Sequence, residues 1–449
     1  MPKGEVADVV PAARGRKVAV IGSGYVGLTL SASLSRLGHD VECTDKSLER
    51  IAELAAGHVQ IVEEGLPELV QEMLATGRLR FGVDNALAAA KSEFVFLCLP
   101  TPEDADGGAD LSFVRAVAVE IGPYLRPGAT VVTKSTVPVG TSEIVATALA
   151  RSDVHVVSNP EFFAEGRSVR DCLFPDRIVV GASSDTVAQS VADLYGPRGL
   201  SRFIFTDPAS AELIKYASNA YLATRLTFVN SIAEVCEAVG ADIRSVVAGM
   251  GSDHRIGDAF LRPGPGWGGS CFPKDTQALV RTAEQFGCEL TVVKAAIAAN
   301  GHHTKRVLDK VSTALGDVGG RRIALWGLTF KAGTNDLRKS PALEIGQRLV
   351  AQGASVQAYD PTVPAGVLCG MEVHSSSLSA CQNADALVIG TEWPEFTSTD
   401  LSALSAVMSG KVIVDTRNIL DPVVVTSTGF IYAGIGIRNP AERATEVVV

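Results

Sequence analysis

Lys17–Gly27 reads KVAVIGSGYVG, a short apolar run that ends in glycine and passes directly into G-x-G-x-x-G. Such a run, bounded by glycine, predicts a buried strand over Lys17–Gly22. Helical spacing follows through Leu37 and stops at Gly38. Asp40–Asp45 (DVECTD) predicts the next strand, and its terminal acid lies about 20 residues beyond Gly22, as a dinucleotide fingerprint requires. Gly22 makes the tight turn, Gly24 lets the backbone approach a pyrophosphate, and Gly27 allows close helix–strand packing. Tyr25 and Val26 open the helix, whose N-terminal N–H groups face the phosphate charge. Asp45 accepts from a ribose 2′-hydroxyl and repels a 2′-phosphate, which favours NAD over NADP; neighbouring Lys46 works against that preference. A glycine-rich turn without a ligand is the plainer reading of the glycines alone. Strand, helix and acid together favour the dinucleotide.

Outward from this unit the strand–helix rhythm continues. Phe94–Leu99, Thr130–Ser135 and His155–Ser158 read as further buried strands, which implies a parallel sheet covered by helices. From about Ser210 to Val239 apolar residues recur at helical spacing, giving about 30 residues and about 45 Å of helix before Gly240 stops it. The loop RPGPGWGGS follows, then a helix from about Cys271 to Phe286 and more helix through about Leu315. At Arg321 the rhythm restarts: RRIALWG, ASVQAYD, DALVIG and KVIVDT read as strands and SPALEIGQRLVAQG as a helix. This second copy has Phe330 and Lys331 where glycines would sit, so no second dinucleotide is assigned to it. The fold class is therefore α/β, two doubly wound Rossmann-like domains joined by a long central helix. The tail after about Ile437 carries little pattern.

The 449 residues amount to about three domains, and 46% hydrophobic with 20% charged residues is ordinary globular composition. A net charge of −10 argues against a nucleic-acid partner. Residues 1–16 contain no signal-peptide core, and no stretch is apolar enough to span a bilayer, so neither export nor a membrane partner is expected. The eight cysteines are scattered without a CxxC pair, which suits reduced thiols in a cytoplasmic protein. No metal site is expected, and adjacent His302 and His303 read as surface residues of a helix.

Three pairs of polar residues are four apart: Glu161 with Glu165, Lys215 with Asn219, and Cys271 with Asp275. On a helix that spacing puts both side chains on one face. By spacing alone the plainer readings are a solvated turn for the two glutamates and an amine snorkelling to the surface for Lys215. Cys271 is harder to dismiss. It follows Gly268-Gly269-Ser270, where backbone can approach a ligand, and Ser270 can cap the helix that Cys271 begins. A thiol at a helix N-terminus near Lys274 is held toward the thiolate, which is the nucleophilic form. The other seven cysteines read as small apolar residues.

From about Lys17 to about Asp421 the chain resembles the UDP-glucose 6-dehydrogenase family of nucleotide-sugar dehydrogenases. The resemblance is carried by GSGYVG, KSTVPVGT, NPEFFAEG, AELIKYASNAYLA, RIGDAFLRPGPGWGGSCFPKD and FKAGTNDLRKSPAL, in that order. It implies NAD as cofactor, a nucleotide sugar as substrate, and at least a homodimer built through the central helix. It divides the chain into an NAD-binding domain (1–209), a central dimerisation region with the cysteine loop (210–318) and a UDP-sugar-binding domain (319–449).

The same resemblance implies roles. Cys271 matches the catalytic thiol, Lys215 and Asn219 the groups that stabilise an oxyanion, and Asp275 a carboxylate that helps activate water or the thiol. Glu161 matches an acid/base residue near the sugar, and Thr136 a residue that holds water there. Glu165 lies between cofactor and substrate in the family; Thr101, Lys274 and Arg338 match cofactor contacts. Phe162, Phe163, Phe260, Leu261, Arg262, Gly268, Phe330, Lys331 and Arg417 match residues around the substrate. Arg255 matches an arginine that reaches the sugar of a neighbouring subunit. The implied reaction is oxidation of a C6 alcohol to a carboxylate through a thiohemiacetal and a thioester on Cys271, with two NADH formed.

The sequence departs from the family pattern at VQIVEEGL, at LPTP and at Trp267, where a smaller aromatic is usual. GGSCFPKD and PEFFAEG favour glucose over an N-acetylhexosamine, and the need for a thiol sets the chain apart from dehydrogenases of 3-hydroxyacid or 6-phosphogluconate type. No residue distinguishes uridine from thymidine, so dTDP-glucose stays open, as does a non-catalytic protein that binds NAD.

Overall fold

In the computed structural model, which describes residues 14–196 and 202–437, the chain divides into two compact units. The first runs to Ser218 and includes Gln277–Cys288; the second holds Asn219–Thr276 and the chain from Glu289 onward. Residues of the central region 210–318 are thus divided between the two units. The patternless tail after Ile437 and the first 13 residues lie outside the described residues.

The first unit is built on eight strands: β1 (Lys17–Ile21), β2 (Asp40–Thr44), β3 (Leu79–Gly82), β4 (Phe94–Leu97), β5 (Thr130–Thr133), β6 (His155–Ser158), β7 (Ile178–Gly181) and β8 (Phe203–Thr206). Their order is β3-β2-β1-β4-β5-β6-β7-β8, parallel except where β7 meets β6. Side chains of a strand alternate between faces. Val18, Val20, Phe94 and Phe96 enter one apolar cluster, while Ala19, Ile21, Val95 and Leu97 enter another. Burial on both faces is why these strands read as unbroken apolar runs. Strand order reverses between β1 and β4, and a ligand crevice of such a sheet lies at the carboxyl ends of the strands there. The loops leaving β1, β4, β5 and β6 carry Gly22–Gly27, Thr101, Thr136 and Glu161–Glu165 respectively.

The second unit repeats the plan with β9 (Arg322–Trp326), β10 (Ser355–Tyr359), β11 (Gly366–Leu368), β12 (Met371–Val373), β13 (Ala386–Ile389), β14 (Val412–Asp415) and β15 (Ile431–Gly434). Their order is β11-β12-β10-β9-β13-β14-β15, with β11 alone antiparallel to its neighbour. Without that hairpin strand it is the β3-β2-β1-β4-β5-β6 order again. Asp360, the counterpart of Asp45, is buried here. Its Oδ2 accepts from the N–H groups of Leu328 and Thr329, the Thr329 hydroxyl and the Trp393 indole, so it is committed to the loops that follow β9 and β13.

The long helix spans Pro208–Val239 (32 residues) and ends where Gly240 adopts φ +76°. Its second half sends Val229, Ala233 and Cys236 into the core of the second unit, with Val307, Leu308 and Val311 of the helix Thr291–Leu315. On that latter helix His302 is exposed as expected, but His303 is buried against Glu234 and is not a surface residue. Among the described residues no group of three or more His, Cys, Asp or Glu is placed to hold a metal ion, and no helix is long and apolar enough to cross a membrane. Of the seven cysteines read as small apolar residues, Cys288 and Cys369 are exposed and the other five are buried.

Candidate active site

The fingerprint helix Tyr25–Arg36 begins after Gly24, which occupies the cap position without any side-chain cap. Gly22 has φ +102°, and a Cβ there would sit 2.3 Å from the Cys98 carbonyl oxygen, at the point where β1 and β4 part. A Cβ on Gly27 would lie 1.8 Å from the Gly22 carbonyl oxygen. On Gly24 a Cβ would meet nothing within 4 Å, so open space lies above the helix's free N–H groups. An open glycine surface at a helix N-terminus is what a pyrophosphate needs, and the residues fit a dinucleotide. Asp45 follows β2 and accepts from the N–H and hydroxyl of Ser23 (3.0 and 2.9 Å), from Ser47 N–H and from Arg50. Partial burial pushes its carboxyl up, but these donors outweigh it and hold it below the usual carboxylate range, as an ionised acceptor. Lys46 points away over the Phe113 ring, 5.1 Å from its centroid.

Along the same sheet edge, Thr101 donates to the Thr136 carbonyl (2.9 Å), and both threonines are buried. Glu161 and Glu165 lie in an irregular loop, not on a helix, so their spacing does not make them share a helix face. The loop is bracketed by Pro160, which cannot donate to a ladder, and by Gly166 at φ +86°. Nor are the plainer readings met. Glu161 (6% exposed) and Lys215 (3%) are both buried, with Lys215 Nζ 2.9 Å from Glu161 Oε1. Glu161 Oε2 also accepts the Phe163 N–H at 2.6 Å. Burial pushes the Glu161 carboxyl up, but the charge and hydrogen bond of Lys215, the Phe163 N–H and the charge of Lys134 hold it below the ordinary range. Two cations lie near the Phe162 ring: Arg177 is 3.9 Å from its centroid and Lys215 Nζ 5.5 Å.

The second unit holds the thiol. Asp275 N–H donates to the Cys271 carbonyl (2.9 Å), so Cys271 occupies the cap position of helix Phe272–Gln285, one residue ahead of the helix it was expected to begin. Pro273 falls in the first turn, where its missing N–H costs nothing. Cys271 is half-buried, and the partial positive charge of the helix end lies at its backbone. Lys274 pairs with Asp275 Oδ1 (2.5 Å), and Asn219 Nδ2 donates to Asp275 Oδ2 (2.6 Å). Asp275 is fully buried and so orients both donors. Lys215 and Asn219 are one turn apart on one helix and lie on the same face.

The loop before Cys271 is clamped by residues the sequence reading missed. Asn300 takes the Trp267 N–H on Oδ1 and gives Nδ2 to the Trp267 carbonyl, both at 2.9 Å. The Trp267 indole donates to Thr227 (2.8 Å), and Asn230 accepts from Gly264 N–H (2.8 Å). Their only signal in the sequence is polar residues on otherwise apolar helix faces. From the other side, Gly269 N–H donates to the Arg338 carbonyl (3.1 Å), and a Cβ on Gly268 would lie 1.9 Å from the Lys339 carbonyl oxygen. Phe330 lies against Gly269, and Arg417 donates to the Phe330 carbonyl (3.0 Å) and pairs with Glu392. Arg338 pairs with Asp336, and Lys331 Nζ is 5.8 Å from the Phe330 ring centroid. Phe260 adopts φ +58° beside buried Leu261, and Arg262 is exposed. Arg255 is largely exposed and pairs only locally, with Asp253.

Comparison with known proteins accounts for nearly the whole chain. Residues 16–198 match the NAD binding domain, 209–302 the central domain and 324–422 the UDP binding domain of the UDP-glucose/GDP-mannose dehydrogenase family. The UDP-glucose 6-dehydrogenase of Rhizobium meliloti is 44% identical over 433 residues, covering 94% of this chain and 99% of that protein. The UDP-glucose 6-dehydrogenase of Pseudomonas aeruginosa is 41% identical over 440 residues, covering 94% and 97%. Among solved structures, a UDP-glucose dehydrogenase from Pyrobaculum islandicum matches with TM-score 0.85 at 32% identity, covering 97% of this chain and 99% of that one. A UDP-D-ManNAc dehydrogenase from Pyrococcus horikoshii matches with TM-score 0.83 at 28% identity, covering 93% and 99%.

Proposed function

Because the chain belongs to the UDP-glucose/GDP-mannose dehydrogenase family, we propose that it oxidises the C6 hydroxyl of UDP-glucose to the carboxylate of UDP-glucuronate. The observation that carries this reading is the half-buried Cys271 at a helix N-terminus, one turn from the buried Asp275 that orients Asn219 and Lys274. A simple alcohol dehydrogenase has no use for such a thiol.

NAD, held at Gly22–Gly27 and Asp45, supplies a hydride acceptor at each of two oxidation steps. The residues of the chain do the rest. Glu161 accepts the proton of the C6 hydroxyl as the alcohol becomes an aldehyde, and Thr136 holds a water near it. The Cys271 sulfur adds to the aldehyde carbon to form a thiohemiacetal, whose oxidation leaves a thioester. Water attacks that carbonyl, releasing the carboxylate and regenerating the thiol. Through these additions negative charge builds on the C6 oxygen, and the ammonium of Lys215 and the amide of Asn219 donate to it. Asp275 holds Asn219 in place and helps activate thiol or water. A covalent intermediate keeps the reactive aldehyde bound and divides a four-electron oxidation into easier steps.

The homodimer belongs to the same proposal. Tyr221, Phe228 and Val235 recur at intervals of seven on the long helix and are 63%, 50% and 53% exposed, a stripe suited to a second copy of the helix. Exposed Arg255 would then be free to reach a neighbouring substrate. Eight cysteines outside any disulfide among the described residues suit the reducing cytoplasm.

The test is NADH formed per molecule of limiting UDP-glucose, read by absorbance at completion. Two per sugar is expected. One would replace the proposal with a two-electron dehydrogenase, and none with UDP-glucose but two with dTDP-glucose would move it to the thymidine nucleotide. Light scattering of the purified protein should give at least twice the 46.9 kDa chain mass.

A further inference from the structure

The segment VQIVEEGL contributes a carboxylate to which no role has yet been given. Glu63 lies in it and is only 4% exposed. A carboxylate is this deeply buried only when donors surround it. Gly166 N–H donates to Oε2 at 2.7 Å, Ser168 N–H to Oε1 at 2.6 Å, and the Tyr25 hydroxyl to Oε2. These donors come from two places that matter. Tyr25 is the first residue of the fingerprint helix, directly after the open Gly24. Gly166 and Ser168 end the loop that carries Glu161 and Glu165, and the Gly166 N–H belongs to the peptide that follows Glu165. Burial and the bond to Glu63 push the Tyr25 phenol up, so it stays a donor. Two lesser ties run the same way: the Tyr25 hydroxyl reaches the Ala164 carbonyl (3.4 Å), and Thr29 of the fingerprint helix shares a hydrogen bond with Ser168 (3.1 Å).

We propose that Glu63 is a positioning residue that fixes the cofactor cradle to the acid loop, so that the geometry of Gly24–Tyr25 and that of Glu161–Glu165 are set together. The proposal rests on the dinucleotide reading of the cradle and adds a residue to it. Glu63 touches neither substrate nor cofactor atoms; it acts through Tyr25 and through the peptide groups of Gly166 and Ser168.

Glu63→Gln tests it with almost no change of shape. Tyr25 can turn its hydroxyl and accept from an amide, but Gly166 and Ser168 can only donate, one to each oxygen. Whichever way the amide is placed, one buried N–H faces another N–H. Binding of NADH without sugar, followed by fluorescence, is the readout, and the melting temperature is recorded on the same samples. Glu63→Gln is expected to bind NADH about tenfold more weakly, and Tyr25→Phe, which removes one donor and keeps the ring, about threefold. Should Glu63→Gln fail to fold, Tyr25→Phe decides alone. A lowered melting temperature with unchanged NADH affinity in both variants overturns the proposal and leaves Glu63 a structural residue only. A wild-type chain that binds no NADH removes the cofactor reading, and this proposal with it.

Discussion

Replacing Lys215 by Met removes a charge from one of the most enclosed ion pairs in the first unit. Its Nζ lies 2.9 Å from Glu161 Oε1, and the two side chains are 4% and 7% exposed. Methionine keeps much of the length and leaves Glu161 with the Phe163 N–H and the more distant charge of Lys134. Removing one partner of a buried pair costs ~3–5 kcal/mol. Because two compensating groups stay, the lower end, about 3 kcal/mol, is expected at pH 8. The dependence on pH follows from the carboxyl. In the wild type its folded-state value is depressed, so its contribution to stability is complete above the unfolded value and is lost as pH falls through the folded one. In the variant burial is opposed by less, the carboxyl moves up, and protonation relieves the penalty. The difference between the two proteins should therefore shrink with falling pH, by about 1.4 kcal/mol per unit once Glu161 begins to take a proton. Urea unfolding at several pH values, followed by far-ultraviolet circular dichroism, measures this. Tryptophan fluorescence does not, because Trp267, Trp326 and Trp393 all lie in the other unit. An equal penalty at pH 8 and pH 5 would refute the reasoning. So would a Lys215→Met, Glu161→Gln double variant less stable than Lys215→Met alone.

Other substitutions separate the parts of the site. Cys271→Ser should fold normally by circular dichroism yet form acid at less than about one-thousandth of the wild-type rate; sustained multiple turnover would exclude the covalent route. Asp45→Ala removes an ionised acceptor held by Ser23 and should shift the ratio of kcat/KM for NAD over NADP toward NADP by at least about tenfold, the scale of one charge-assisted hydrogen bond. Asn300→Ala deletes both bonds to the Trp267 peptide and should lower kcat about tenfold while the KM for NAD stays put; a change confined to the NAD KM would show that the clamp is not about the thiol loop. Thr227→Val, which leaves the Trp267 indole without its acceptor, should act likewise, and Thr227→Ser should restore the rate.

The parts of the fold that were legible are those whose physics is local. β1 and β4 are buried on both faces and read as apolar runs; the fingerprint glycines read because each answers a distance of a few ångströms to nearby backbone. The second sheet read for the same reason at β9, β10, β13 and β14. The strands that did not read are at edges or in short pieces. β3, β8, β11 and β15 are edge strands, β8 and β11 exposing much of their length, and β12 is only three residues long. The site residues divide similarly. Cys271 was recognisable from its glycines and its helix. Lys215 and Glu161, 54 positions apart, looked like surface charges until the fold paired them, because the partner that makes a buried charge tolerable is set by tertiary structure. Glu63 carried no signal, since two of its donors are backbone N–H groups more than 100 positions away and the third, the Tyr25 hydroxyl, is 38 positions away. His303 misled for the converse reason: its neighbour His302 faces water, and Glu234, which accompanies its burial, comes from another helix.

The two groups assigned to the developing oxyanion share one design. Neither Lys215 nor Asn219 waits for substrate with its donors in solvent. Each already gives one hydrogen bond to a buried carboxylate, Lys215 to Glu161 and Asn219 to Asp275. In each case the bond to the buried carboxylate fixes the direction of the donor group. The cost of aiming these groups is then met in folding and does not recur when charge appears on C6, which is the source of most electrostatic catalysis. Glu161 neutralises Lys215 in the resting protein. On the proposed mechanism, Glu161 would withdraw that neutralisation when it took the alcohol proton, leaving the charge of Lys215 to the alkoxide. In that proposal the acid/base residue and the oxyanion donor would act as one device: shifting a proton onto the first would strengthen the second.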